Sequence, residues 1–174
     1  MKKIFVSGAD GFIGSHLVDK LISNNFKVNA LCYYNSHNSY GWLENIKNKN
    51  STKLNVKHGD IRNFSSFNNL VSESDIVLHL AALIAIPYSY DTPDSYIETN
   101  INGTYNVLES SKINKIKKVI ITSTSEVYGT ARKIPITEDH VLQPQSPYSA
   151  SKISADNLSM AYYYSYNLPI SIIR

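Results

Sequence analysis

Apolar residues in this chain fall in short, nearly unbroken runs separated by stretches with helical spacing. The runs are KKIFVSG from Lys2, FKVNALCYY from Phe26, KLNVKHGDI from Lys53, DIVLHLAA from Asp75, KVIITSTS from Lys118 and LPISIIR from Leu168. Each has the length of a strand, and near-continuous apolarity fits burial on both faces. Between them, Ile13, Leu17 and Leu21 recur at helical spacing within residues 12–24. FSSFNNLVS (64–72) reads as a short helix. Residues 92–112, with Tyr96, Ile97, Ile101, Tyr105 and Leu108, read as one long helix, and 147–166 as another. Residues 35–50 are rich in Asn, Ser and Lys and predict an irregular excursion with a short helix around Trp42. Strands alternating with helices predict parallel strands joined by right-handed crossovers, an α/β doubly wound sheet. No repeat or linker interrupts the pattern, so residues 1–174 read as one domain. The last predicted strand stops at Arg174 with nothing to cap the sheet, which predicts the N-terminal part of a longer protein.

Composition narrows the class. A chain of 174 residues can build one real core. Hydrophobic content of 43% and charged content of 18% fit a globular protein. The net charge of +3 comes from scattered lysines without a basic stripe, which argues against nucleic acid as a partner. Cys32 is the sole cysteine, so no internal disulfide forms and a reducing compartment fits. No apolar run reaches the ~18 residues of a membrane helix. The start MKKIFVSGADG is too short in its apolar part for a signal peptide. These features predict a cytoplasmic protein off the membrane. His16, His37, His58, His79 and His140 show no metal spacing, and His79 in the fourth strand reads as a core residue.

The sharpest motif is GADGFIG, which places Gly8, Gly11 and Gly14 between the first strand and its helix. That context gives the spacing its meaning. One glycine allows a tight turn, one lets backbone approach a pyrophosphate, and one lets helix pack on strand. The helix start then offers free N–H groups to phosphate. The second strand ends in Cys32, Tyr33 and Tyr34, with no acid for an adenosine ribose and no arginine for a 2′-phosphate. The missing positive partner favours NAD and leaves NADP open.

SPYSASK holds a second pair, Tyr148 and Lys152, four apart on one helix face. Ser146 can cap that helix and Pro147 suits its first position. A phenol is a poor base at neutral pH unless neighbouring cations favour the phenolate. Beside a lysine and a nicotinamide it could take a hydroxyl proton as hydride leaves the same carbon. A third feature is STSEVYG, which puts Glu126 where the fifth strand leaves the core.

Taken together, the G-x-x-G-x-x-G spacing, the strand-end STSE and Y-x-x-x-K resemble the extended short-chain dehydrogenase/reductases over all 174 residues. The resemblance implies a Rossmann-like NAD(P)-binding domain whose C-terminal substrate-binding region lies largely outside this chain. It implies that Gly8, Gly11, Phe12, Ile13 and Gly14 hold the dinucleotide, that Asp60 and Ile61 contact the adenine, and that Ala81 and Ala82 line the cofactor. It also implies that Asn100 supports the site, that Lys152 bonds the nicotinamide ribose beside Tyr148, and that helices 92–112 and 147–166 form a homodimer interface. HLAALIAIPYSYDTPDSYIETNINGT (79–104) looks like the nucleotide-sugar dehydratases and epimerases. YNSHNSYGWLE (34–44), STSEVYGTA (123–131), PITEDH (135–140) and QSPYSASKISAD (145–156) resemble the nucleotide-sugar 4,6-dehydratases of the legionaminic-acid type, which act on GDP-N-acetylglucosamine.

That resemblance implies C4 oxidation with Tyr148 as base, Glu126 removing the C5 proton, loss of water from C6 and hydride return there, with Thr124 at the 4-oxygen. One position departs from it. Well-known hexose 4,6-dehydratases carry T-D-E, with the Asp as acid for the leaving hydroxyl, whereas this chain has Thr124, Ser125 and Glu126. The same TSE resembles the UDP-glucuronate decarboxylases, the main rival, with a 4-epimerase third. A catalytically dead NAD-binding regulator would ordinarily have lost Tyr148 or Lys152, and both are present.

Overall fold

A computed structural model describes residues 1–174. Six strands, β1 (Lys3–Ser7), β2 (Lys27–Tyr33), β3 (Leu54–Gly59), β4 (Ile76–His79), β5 (Lys118–Thr122) and β6 (Ile170–Ile173), form one sheet in the order β3-β2-β1-β4-β5-β6. Every neighbouring pair is parallel. The strand order reverses between β1 and β4, the switch point where open α/β sheets bind ligands. The doubly wound α/β expectation holds.

Alternate strand residues feed opposite faces. Phe5, Val77, Val119 and Ile121 point to one side, under α2 (Phe64–Ser72), α5 (Gly103–Ile113) and α6 (Pro147–Tyr166), and pack with Phe67, Leu108 and Tyr162. Ile4, Val6, Val28 and Ala30 point to the other, under α1 (Phe12–Ser23), and pack with Val18 and Ile22. Each buried large aliphatic or aromatic side chain is worth about 1.5–3 kcal/mol, so the strands are held from both sides. The excursion after β2 contains a 3₁₀ turn, Gly41–Asn45, and its Leu43 joins the α1-side core.

The helix expected over 92–112 runs without interruption from Pro93 to Ile113, with a π segment inside it. α3 (Ile86–Asp91) precedes it and α4 (Pro93–Tyr96) is its opening turn, each with a proline in its first turn. Proline disfavours helix in the residue before it, which separates the two. A π segment, Ile97–Asn102, then leads into α5, with Gly103 N–H bonding Glu98 O five residues back. The fifth strand is also shorter than its apolar run. β5 ends at Thr122, and Ser125–Tyr128 form a 3₁₀ turn whose Glu126 N–H is taken by the Thr124 hydroxyl. The helix start at Ser146 is as its sequence predicts. Ser146 accepts from Ser149 N–H, and Ser149 Oγ accepts in return from Ser146 N–H, both at 3.0 Å.

Candidate active site

The glycine loop sits at the switch point because two close approaches require it. Gly8 has φ +67°, and a Cβ there would come 2.7 Å from Ala81 N. A Cβ on Gly14 would come 2.1 Å from Gly8 O. The loop is therefore pinched between α1 and the segment leaving β4. Gly11 caps α1 without any side-chain bond, leaving the N–H groups of the first turn available to an anion. A cleft of about 950 Å³ opens above the carboxyl ends of the strands. The glycine loop, residues 60–62, residues 80–84, residues 122–124, Glu126, Tyr148 and Lys152 line it.

A buried chain of hydrogen bonds fixes the loop from below. Thr104 Oγ1 donates to Asn100 O at 2.6 Å, so it accepts from His79 Nε2–H at 3.0 Å. Nδ1 is then the acceptor for the Ser7 hydroxyl at 2.7 Å. Ser7 Oγ in turn accepts Leu80 N–H and Ala81 N–H, both at 3.2 Å. Every member has one role, and the chain requires a neutral imidazole. Burial, with the nearby Lys152 charge, pushes His79 down to about 3. This is the core role its sequence predicts. Asn100 continues the clamp. Its side chain donates to Leu83 O (2.9 Å) and Ser151 Oγ (2.9 Å) and accepts Leu83 N–H (2.8 Å). Asn100 thus holds the loop after β4 rather than facing the cleft.

The other wall carries the titratable groups. The first turn of α6 puts Tyr148 on the cleft, its ring edge-on to Tyr96 at 6.2 Å. One turn later the Lys152 ammonium donates to Thr122 O at 2.7 Å, at the last residue of β5. Burial lowers the Lys152 ammonium from its ordinary value, against the pull of Asp156. Asp156 is 1% exposed and accepts from Ser123 Oγ at 2.9 Å and Arg174 Nε at 3.0 Å. It ties α6 to the residues just past the ends of β5 and β6. Nothing read from the sequence above points to Asp156. Its place four residues past Lys152, on the face that carries Tyr148, is the signal that finds it.

Thr124 and Glu126 both line the cleft, and Ser125 between them is exposed and does not. Asp60 and Ile61 line the opposite end with Ala81 and Ala82 nearer the centre. Phe12 and Ile13, 61% and 67% exposed, form the rim beside the glycines. One expectation is corrected. An arginine does lie by the end of β2: Arg62, in the turn after β3, donates to the Tyr33 hydroxyl at 3.1 Å. Burial pushes the Asp60 carboxyl up, but its bonds from Arg62 outweigh that and hold it below its ordinary value. Cys32 is buried and inert, its thiol pushed up to about 12 by burial and then by Asp10.

Residues 5–174 match the family described as GDP-mannose 4,6 dehydratase. The chain is 35% identical to a dTDP-D-glucose 4,6-dehydratase of Dictyostelium discoideum, over 100% of this chain and 43% of that protein. It is 33% identical to a UDP-glucose 4-epimerase of Pisum sativum, over 91% of this chain and 47% of that protein. Among solved structures, the UDP-N-acetylglucosamine 4-epimerase of Methanobrevibacter ruminantium superposes with a TM-score of 0.91 at 35% identity, covering 99% of this chain and 54% of that one. A dTDP-glucose 4,6-dehydratase of Streptomyces venezuelae, solved with NAD, gives 0.89 at 30%, covering 98% and 54%. The chain spans about half the length of the curated relatives it matches. It belongs to the GDP-mannose 4,6 dehydratase family, among relatives that include both nucleotide-sugar dehydratases and epimerases.

Proposed function

We propose that this chain is the dinucleotide-binding part of a longer NAD-dependent nucleotide-sugar 4,6-dehydratase, which makes a 4-keto-6-deoxy sugar. The observation that carries the reading is the single cleft lined at once by the glycine loop, Thr124, Glu126, Tyr148 and Lys152. The uncapped first turn of α1 and the tight Gly8–Ala81 approach fit a pyrophosphate. Bound NAD would supply a hydride acceptor for oxidation at C4 of the sugar and a hydride donor at C6.

The chain's own residues do the proton work. Tyr148 takes the proton of the C4 hydroxyl, with Lys152 one turn away on the same face of α6. Thr124 bonds the 4-oxygen. The 4-ketone acidifies the C5 hydrogen, and Glu126 removes it as general base. Water then leaves from C6. Ser125 is outside the cleft and is no acid, so Glu126, protonated by the previous step, returns its proton to the leaving hydroxyl. The likeness of residues 34–44 to the legionaminic-acid type supports GDP-N-acetylglucosamine as substrate. Exposed Ile97, Tyr105, Tyr163 and Tyr164 support a homodimer through residues 92–112 and 147–166.

The second reading is a 4-epimerase. The absence of an acid at Ser125 and the epimerase relatives favour it, whereas Glu126 has no role in it. The test is to incubate the full-length protein with GDP- and UDP-N-acetylglucosamine and with UDP-glucuronate. A 4-keto-6-deoxy product is expected, and Glu126→Gln should lose it while still binding NAD. Epimer alone, CO₂ from UDP-glucuronate, or wild-type turnover by Glu126→Gln would each sink the dehydratase mechanism.

A further inference from the structure

A dinucleotide site of this kind ordinarily has an acid at the end of β2 for the adenosine ribose. Cys32 is buried there, and Tyr33 and Tyr34 are exposed phenols. A carboxylate nevertheless occupies that strand end, and it comes from the glycine loop. Asp10 Oδ2 accepts the backbone N–H of Tyr33, the last residue of β2, at 3.0 Å. Asp10 lines the cleft, and its Oδ1 makes no bond within the chain.

The excursion after β2 holds Asp10 in place. Trp42 N–H donates to Asp10 O at 3.0 Å, and the Trp42 ring meets Phe12 edge-on at 5.4 Å. Gly41, at φ +57°, packs so closely that a Cβ would come 2.7 Å from Asp10 O. Glu44 ties the same turn together by accepting Ser39 Oγ (2.7 Å) and Tyr40 N–H (2.8 Å). YNSHNSYGWLE, the irregular excursion after β2, is thus a brace against one residue of the glycine loop.

Building on the NAD-binding reading, we propose that Asp10 is the ribose acid of this site. Its carboxylate accepts the hydroxyls of the adenosine ribose and repels a 2′-phosphate, so the protein selects NAD over NADP. A carboxylate only accepts hydrogen bonds, which suits a diol. A 2′-phosphate would bring about −1.5 to −2 charges against it. The cation on this side of the cleft, Arg62, offers little relief. Asp60 grips its guanidinium through Nε at 2.9 Å and Nη2 at 2.6 Å.

The test titrates the full-length protein with NAD and with NADP by calorimetry, for wild type, Asp10→Asn and Asp10→Ala. Asn keeps an acceptor for Tyr33 N–H and removes only the charge. Melting temperatures without ligand separate lost affinity from lost fold, and wild type titrated with NAD lacking the adenosine 2′-hydroxyl repeats the test with no substitution. Wild type should bind NAD at least about tenfold tighter than NADP, the scale of one charge-assisted hydrogen bond. Asp10→Asn should erase most of that ratio, and the 2′-deoxy compound should bind wild type about tenfold more weakly than NAD. A ratio unchanged in both variants, NADP preferred by wild type, or a 2′-deoxy compound as tight as NAD overturns the assignment of Asp10 alone. Wild type binding neither dinucleotide overturns the NAD reading beneath it.

Discussion

Acid should unlock this site through His79. The imidazole is held neutral, down at about 3 in the fold against 6.5 when free. A depressed pKa contributes stability that is complete above about 6.5 and is lost as pH falls toward about 3. The loss approaches about 1.4 kcal/mol per pH unit, so it reaches about 2 kcal/mol by about pH 5. That is a large share of the ~5–15 kcal/mol of a typical domain. The structural cause is countable. A proton on Nδ1 would face a Ser7 hydroxyl whose lone pairs already accept Leu80 N–H and Ala81 N–H. One of those bonds must break, directly beneath the Gly8–Ala81 contact. Asp60, Asp75 and Glu109, whose carboxyls lie below their ordinary values, lose their contributions only in the carboxylate range, around pH 4 and lower. The assay is urea unfolding of the full-length protein from about pH 7.5 to about pH 5, for wild type and His79→Asn. The variant should be weaker at neutral pH and flatter by about 2 kcal/mol across the range. Parallel curves would refute the buried neutral histidine.

Three further outcomes follow from the geometry. Gly14→Ala places a methyl 2.1 Å from Gly8 O, so it should cost about 2 kcal/mol or more and abolish dinucleotide binding; a wild-type melt with wild-type affinity contradicts this. Asn100→Ala removes three bonds and strands the Leu83 N–H, at about 2–3 kcal/mol. Amide exchange at Leu83 should quicken, and unchanged protection there would show that Asn100 is no clamp. Tyr148→Phe keeps the ring against Tyr96 but should slow hydride transfer to NAD by about a hundredfold or more without shifting the melt. An unchanged transfer rate removes Tyr148 from the chemistry.

Period and punctuation made the sheet legible. Unbroken apolar runs marked strands buried on both faces, and Ser146-Pro147 marked the start of α6 to the residue. The same apolar logic overran β5, because Ser123, Thr124 and Ser125 are small enough for strand or turn and the turn is decided by a hydroxyl cap. It read 92–112 as one helix and missed the π turn inside it, which helical spacing does not register. The candidate site divided similarly. Local motifs such as GADGFIG and Y-x-x-x-K were readable because each acts within one turn of chain. Asp10 at the end of β2, Arg62 beside Tyr33 and Asp156 bonded to Ser123 depend on contacts 23, 29 and 33 residues apart. No local pattern announces such pairs. The acid absent from β2 was a true reading of the strand, and its replacement arrived from another element.

The π segment carries a consequence for length rather than for chemistry. A turn closed over five residues instead of four holds one residue more than an α-helix needs. Deleting a single residue between Ile97 and Thr99 would let the segment relax into ordinary helix and keep α5 whole. It would also shift the phase of Asn100 relative to α5, as the residues between them pass from π to α spacing. The helix would lose nothing of its own bonding, yet Leu83 and Ser151 would lose their shared partner. The extra residue works as a spacer that sets the phase of one side chain, and a change in chain length there would silence the clamp more completely than most substitutions.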